Sequence, residues 1–217
     1  MREELIKLIE EEKLIVIVRG IEKEKLIPLA EAMYNAGIRL LEVTYSQGGT
    51  PSDEEVADSI RLLSEHFKGR MFIGSGTTMT KKQVALTKKA GGSFIISPDA
   101  NSKVIKATHK AGLVSIPGAL TPTEIASAHA AGADFVKLFP ITNLGTSYFK
   151  AVKAPLSAIK YLAVGGIDEN NMQEYLSLGI SGFGIGSNIV NKKLIDANEF
   201  EKITELAKKY VEAVKSK

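Results

Sequence analysis

Short runs of β-branched and large aliphatic residues recur along this chain roughly every 20 to 30 residues, and amphipathic stretches fill the intervals. Eight such runs are present, at residues 14–18, 38–44, 71–74, 93–97, 113–116, 134–139, 159–164 and 182–185. Runs of this length suit strands rather than helices, and strands that alternate with helices pair in parallel through crossover connections. Several intervals end in a glycine just before the next strand (Gly37, Gly91, Gly112, Gly132, Gly179), where a left-handed helix C-cap belongs. Eight βα units in series close most simply into a (β/α)8 TIM barrel. Residues 1–12 and 197–216 read as N- and C-terminal flanking helices. An open doubly wound sheet is the alternative. It calls for a G-x-G-x-x-G turn after the first strand, and the chain reads Val18-Arg19-Gly20-Ile21-Glu22 there. No Pro/Gly/Ser-rich linker interrupts the pattern, so residues 1–217 are expected to form a single barrel domain.

Composition narrows the chemistry. With 44% hydrophobic and 24% charged residues, the chain is neither disordered nor fibrous. It lacks an apolar run of the roughly 18 to 20 residues that a membrane span needs, and it opens on MREELIKLIEEEK, unlike a signal peptide. A cytoplasmic protein with no membrane partner is expected. There are no cysteines, so disulfides and thiol catalysis are excluded, and His66, His109 and His129 are too scattered for a zinc cluster. No metal and no cofactor are expected, and the histidines are assigned surface or helix-packing roles. The net charge of +3 is dispersed among Lys/Glu neighbours, without the basic stripe of a nucleic-acid surface.

In a barrel, reactive groups gather at the C-terminal ends of the strands. Lys137 sits inside Phe135-Val136-Lys137-Leu138-Phe139-Pro140, a run expected to be buried on both faces. Burial disfavours the ammonium form and leaves free amine, which can attack a carbonyl as a Schiff-base nucleophile. A structural lysine paired with a barrel carboxylate is the competing role. Glu42, in Leu40-Leu41-Glu42-Val43-Thr44, is the second interior charge and the obvious partner. It is either a counter-ion, towards which sequence alone leans, or a general acid/base. Arg19 ends the first strand with donors suited to a carboxylate or phosphate, or to a rim salt bridge, and Thr77 offers a hydroxyl after Gly74-Ser75-Gly76. Two glycine-rich strand ends, Val164-Gly165-Gly166-Ile167 and Gly184-Ile185-Gly186-Ser187, occupy the usual phosphate-binding position of a barrel. Asn188-Ile189-Val190 is placed to form one short helical turn behind them. Tight turns without a ligand are the alternative there.

Taken in order, Val16-Ile17-Val18-Arg19-Gly20, Leu41-Glu42-Val43-Thr44, Gly74-Ser75-Gly76-Thr77, Ile96-Ser97-Pro98, Ile116-Pro117-Gly118, Val136 to Pro140, Val164-Gly165-Gly166 and Gly184 to Ser187 give the chain an end-to-end resemblance. It resembles the class I 2-keto-3-deoxy-6-phosphogluconate aldolases and their 4-hydroxy-2-oxoglutarate and 2-keto-3-deoxy-6-phosphogalactonate aldolase relatives. The resemblance implies a lyase in which Lys137 forms the Schiff base and Glu42 transfers protons. By the same resemblance, Arg19 and Thr77 hold the carboxylate region of the keto acid, and Pro98 and Phe139 shape the pocket. Gly165, Gly166, Gly186 and Ser187 then take the phosphate. It further implies a keto-acid sugar phosphate as substrate and a homotrimer. Cleavage of 2-keto-3-deoxy-6-phosphogluconate to pyruvate and glyceraldehyde 3-phosphate is expected first, with 4-hydroxy-2-oxoglutarate as a further substrate. The alternatives are the galactonate epimer and a non-covalent phosphosugar epimerase or isomerase. Two positions bear on this choice. Many gluconate-type members carry an arginine where this chain has Ser46, and many read Pro-Thr-Gly-Gly where it reads Ala163-Val164-Gly165-Gly166. The Ala-Val-Gly-Gly form looks more like the galactonate and keto-hydroxyglutarate members.

Overall fold

The computed structural model of the chain describes residues 2–215. The alternation in the sequence becomes α1 (Arg2–Glu12), β1 (Leu14–Val18), α2 (Lys23–Asn35), β2 (Leu40–Thr44), α3 (Asp53–His66), β3 (Phe72–Gly76), α4 (Lys81–Lys89), β4 (Phe94–Ile96) and α5 (Ser102–Lys110). The second half runs β5 (Val114–Ile116), β6 (Gly118–Ala119), α6 (Pro122–Ala130), β7 (Val136–Leu138), α7 (Gly145–Lys153), β8 (Tyr161–Val164), α8 (Met172–Ser177), β9 (Gly182–Ile185), α9 (Lys192–Asp196) and α10 (Phe200–Lys215). The strands are parallel and lie in the order β5-β4-β3-β2-β1-β9-β8-β7-β6. The two ends of this order, β5 and β6, are separated in sequence by Pro117 alone, so the sheet returns on itself as a TIM-like barrel.

Among the described residues nine strands stand where eight runs are readable, because the fifth is divided. Pro117 has no N–H to donate, so the ladder breaks there, although its carbonyl still accepts from the Lys137 amide at 2.8 Å. The five expected C-cap glycines, Gly37, Gly91, Gly112, Gly132 and Gly179, all have positive φ. The C-terminal flank differs from expectation. Asn198 adopts φ 57° and ends the short α9, so α10 begins at Phe200 rather than 197. Met1 and Ser216, at the outer limits of the expected flanking helices, lie outside the described residues.

Side chains along a strand alternate between the barrel interior and the helix layer. Leu14, Val16, Leu41, Val43, Val136, Leu138 and Ala163 face outwards into the main core beneath the helices. Ile15, Leu40, Phe94, Val114, Phe135 and Leu162 face inwards. Leu5, Ile6 and Ile9 of α1 join this inner cluster, so the N-terminal helix plugs the bottom of the barrel. Arg2 is tied there to Asp134 by an ion pair. The bottom is thereby filled with apolar side chains, and the open end lies at the strand C-termini.

Candidate active site

The same alternation sets the inward side chains of the next layer up. Two residues above Leu40 comes Glu42, two above Phe135 comes Lys137, and two above Ile15 and Leu162 come Ile17 and Val164. Strand pairing puts Glu42 beside Ile17 on one side and beside Gly74 on the other. A carboxylate and an amine therefore stand directly on an apolar floor. Lys137 is 8% exposed and Glu42 only 1%.

Both groups are pushed towards their neutral forms. Burial lowers the Lys137 amine below the ordinary lysine value. The Glu42 charge opposes that shift and Arg19 assists it. Burial raises the Glu42 carboxyl above its ordinary value, against the opposing fields of Lys137 and Arg19. Among the described residues Glu42 Oε2 has no hydrogen-bond partner, and the Lys137 Nζ lies 4.7 Å from the centroid of the Phe139 ring. Among the described residues neither group makes an ion pair within 4.0 Å, although the fields of Glu42 and Lys137 act on each other.

A cavity of about 490 Å³ opens above this layer. It is lined by all ten residues singled out from the sequence: Arg19, Glu42, Thr77, Pro98, Lys137, Phe139, Gly165, Gly166, Gly186 and Ser187. The Arg19 guanidinium donates to Thr77 Oγ1 at 2.9 Å, joining strand ends that are 58 residues apart. On the opposite wall, the loops after β8 and β9 are fixed through their carbonyls. Thr142 Oγ1 donates to Gly165 O, Asn171 Nδ2 to Gly166 O at 3.0 Å, and Asn188 Nδ2 to Ile167 O at 3.1 Å. The amides of Ile189 and Val190 both donate to Gly186 O, closing a single turn where a short helical turn was expected. Glycines at 165, 166 and 186 leave that wall without side chains, so an anion can approach the backbone closely.

The remaining sequence readings have simple outcomes. His66 is on α3, 2.7 Å from Glu31, and His109 and His129 are exposed on α5 and α6, outside the cavity. Among the described residues no group of three or more His, Cys, Asp or Glu is placed to hold a metal ion, and no helix is long and apolar enough to cross a membrane. A second cavity, about 450 Å³, lies between the ends of β1 and β2 and helices α2 and α3. It contains none of the ten residues, and its Glu55 carboxylate already caps α3 through Ser52.

Residues 5–206 match the model of the family described as KDPG and KHG aldolase. The chain belongs to this aldolase family. Its members are lyases, and this chain is one. Similar proteins include the 2-dehydro-3-deoxy-6-phosphogalactonate aldolase of Escherichia coli K12, 31% identical over 93% of this chain and 96% of that one. The 2-dehydro-3-deoxy-phosphogluconate aldolase of Haemophilus influenzae is 29% identical over 98% of each chain. Among solved structures, a native KDPGal structure matches this aldolase with a TM-score of 0.83 at 30% identity, covering 93% of this chain and 94% of that one. A KDPG aldolase from Legionella pneumophila, with pyruvate captured as a covalent carbinolamine, matches with a TM-score of 0.84 at 29% identity over 94% and 96%.

Several further residues of the aldolase site were given no site role from the sequence. Ile17, Val164 and Asn188 line it as well, and Gln47 donates to Thr77 O at 3.2 Å. Asn188 follows directly on the Gly-Ile-Gly-Ser run and had a readable signal. Gln47 and Thr142 act on backbone carbonyls 30 and 23 residues away, and nothing local marks them.

Proposed function

We propose that this protein is a class I aldolase cleaving 2-keto-3-deoxy-6-phosphogluconate to pyruvate and glyceraldehyde 3-phosphate, with 4-hydroxy-2-oxoglutarate as a second substrate giving pyruvate and glyoxylate. The observation that carries this reading is the Lys137 amine, buried in the same layer and cavity as the buried Glu42, within its field, at the open end of the barrel and held towards its uncharged form. Neutral Lys137 adds to the C2 ketone to form a carbinolamine. The carboxyl form of Glu42, which burial favours, gives its proton to the departing hydroxyl, and water leaves. The resulting iminium is the electron sink. Glu42, now a carboxylate, takes the C4 hydroxyl proton directly or through a water as the C3–C4 bond breaks, and that electron pair forms the enamine. The aldehyde departs, C3 is reprotonated, and water hydrolyses the iminium to pyruvate and free Lys137. The scheme needs no metal ion, since the iminium takes the electrons.

In this reading Arg19 and Thr77 bind the keto-acid carboxylate, and Pro98 and Phe139 form the walls against its three-carbon end. Gly165, Gly166, Gly186 and Ser187 receive the phosphate, which orients the remote end of the chain. Ser46 and Val164 favour 2-keto-3-deoxy-6-phosphogalactonate as the alternative substrate. In this reading residues 1–217 are one barrel domain in the cytoplasm, as the unbroken βα pattern and the composition lead one to expect, assembled as the homotrimer that the family resemblance implies. Light scattering on the purified protein measures that assembly.

Borohydride reduction in the presence of pyruvate, followed by peptide mass spectrometry, tests the chemistry. A reduced pyruvate adduct on Lys137 is expected. Active enzyme with an unmodified Lys137 peptide overturns the covalent mechanism. Parallel cleavage assays on the two epimeric phosphosugar acids and on 4-hydroxy-2-oxoglutarate decide the substrate.

A further inference from the structure

We propose that Thr87, on the outer helix α4, is a positioning residue for the keto-acid end of the site. Through a buried cluster of hydroxyls it holds Thr77 in a backbone conformation that threonine ordinarily avoids. This inference rests on the reading above, in which Thr77 and Arg19 receive the substrate carboxylate.

Thr77 has φ 52°, in the left-handed region. There the Cβ crowds the backbone, and a β-branched residue is a true outlier. Such a conformation persists only when the surroundings over-determine it. The residues on either side of Thr77 are indeed anchored. Gly76 O accepts from the Tyr45 amide at 2.8 Å, the Thr78 amide donates to Ile96 O at 3.2 Å, and Ser97 Oγ donates to Thr78 O at 2.7 Å.

The side chains complete the clamp. On β3, Gly74 and Gly76 face the barrel interior, so Ser75 faces outwards, towards α4. Its Oγ lies 2.8 Å from Thr78 Oγ1 and 2.9 Å from Thr87 Oγ1. Thr87 Oγ1 also lies 3.0 Å from the Tyr45 hydroxyl and donates to Gln83 O at 2.8 Å. Ser75, Thr78, Thr87 and Tyr45 are each 0% exposed. Thr87 is the hub, because its hydroxyl alone touches Ser75, Tyr45 and the α4 backbone. A cluster of four buried hydroxyls is a demanding way to fill space that apolar side chains fill more simply. Here it brackets Thr77, the one strained residue of the cavity wall, whose Oγ1 accepts from Arg19. Tyr45 lies three residues beyond Glu42 on the same chain segment, so the cluster also ties the Glu42 strand to the Thr77 turn.

The test uses the full chain, pyruvate and borohydride. Thr87→Val keeps the shape and removes the hydroxyl, whereas Thr87→Ser keeps the hydroxyl. For Thr87→Val, the pyruvate concentration for half-maximal trapping is expected to rise about tenfold or more, with the trapping rate at saturation nearly unchanged. Thr87→Ser is expected to restore the wild-type dependence. Tyr45→Phe, which removes one contact to the hub, is expected to shift half-saturation about threefold in the same direction. In a Thr77→Gly background, which holds no strain, Thr87→Val is expected to add nothing. A Thr87→Val protein that melts at lower temperature but traps pyruvate with unchanged half-saturation has lost only core stability, and that result overturns the proposal. Full additivity with Thr77→Gly overturns it too. If Thr87→Val does not fold, an unshifted Tyr45→Phe decides against it. A wild-type protein that forms no adduct overturns the aldolase reading and this inference together. An adduct in the wild type, with no shift in the variants, overturns the inference alone.

Discussion

The Glu42 carboxylate lies in the space that a side chain at Gly76 would fill: a Cβ built there would sit 1.4 Å from Glu42 Oε1. Both residues face the barrel interior on neighbouring strands, and Thr44 pairs in register with Gly76. Gly76 is therefore a steric requirement of the observed Glu42 position, and so of the acid/base role proposed for Glu42. Gly76→Ala is expected to displace the carboxylate and lower kcat/KM by about 100-fold or more. The overpacking is expected to cost roughly 1 to 3 kcal/mol in a urea titration. Steady-state cleavage within twofold of wild type would show that the Glu42 position is immaterial.

The pH dependence of adduct formation follows from the displaced titration of Lys137. Only the free amine attacks, so trapping with pyruvate is expected to rise through a midpoint below the ordinary lysine value of 10.5. Neighbouring charges give the midpoint a direction in variants. The Glu42 charge holds a proton on Lys137, so Glu42→Gln is expected to move the midpoint down. Arg19 repels that proton, so Arg19→Met is expected to move it up. The rate of borohydride inactivation against pH measures all three. A wild-type midpoint at or above 10.5, or a reversed order of the variants, contradicts the buried-amine account.

Much of this was legible in the chain because the barrel repeats one simple rule. Lys137 and Glu42 stood out as charges inside apolar runs, and the two-residue alternation along a strand carries them into the same layer above Phe135 and Leu40. The glycines after β8 and β9 were readable for a similar reason, since a strand end stripped of side chains leaves backbone exposed to a ligand. Other features had no local signature. Pro117 looked like the end of a strand, yet the sheet resumes at Gly118 once the missing N–H has been passed. The left-handed Thr77 was invisible because the groups that anchor its neighbours lie at the ends of β2 and β4 and, in the proposal above, on α4, and they act against the preference of threonine itself. Thr87 reads as an ordinary polar position on a short helix, and only the fold brings its hydroxyl to Ser75.

The buried pair also carries a stability penalty with a definite pH dependence. The Lys137 value is depressed, so the unfolded chain binds a proton that the folded amine releases. Wild-type stability therefore rises with pH between the folded value and 10.5. The Glu42 value is raised, so the folded state holds the extra proton, and stability falls as pH climbs from 4.5 to the folded value. Both penalties act at neutral pH. Replacing the pair together, by Lys137→Met with Glu42→Leu, is expected to raise stability near pH 7 by about 1 to 4 kcal/mol while abolishing cleavage. The advantage is expected to narrow below 4.5 and above 10.5. Denaturant titrations across that range check the sign, and a double variant less stable than wild type at neutral pH rules out a net penalty.

Gly186 separates phosphate recognition from the chemistry. It directly follows β9 on the cavity wall, its φ is not in the left-handed region, and a Cβ added there would meet only Ile17 Cβ, at 3.9 Å. Gly186→Ala is thus accommodated by the fold, and its methyl group intrudes where the phosphate oxygens are proposed to approach the backbone. KM for the 6-phospho substrate is expected to rise about tenfold, because one missing methylene-sized space or lost amide contact at a charged ligand is worth roughly 1 to 3 kcal/mol. Cleavage of 4-hydroxy-2-oxoglutarate and trapping of pyruvate at Lys137 are expected to stay near wild-type levels, since neither ligand carries the phosphate. Gly166→Ala makes a harsher comparison: its φ is 69°, and a Cβ would lie 2.1 Å from Thr142 Oγ1, so the loop itself must move. Equal losses on phosphorylated and unphosphorylated substrates in Gly186→Ala would place the phosphate elsewhere, and the glycine wall would then be no more than a pair of tight turns.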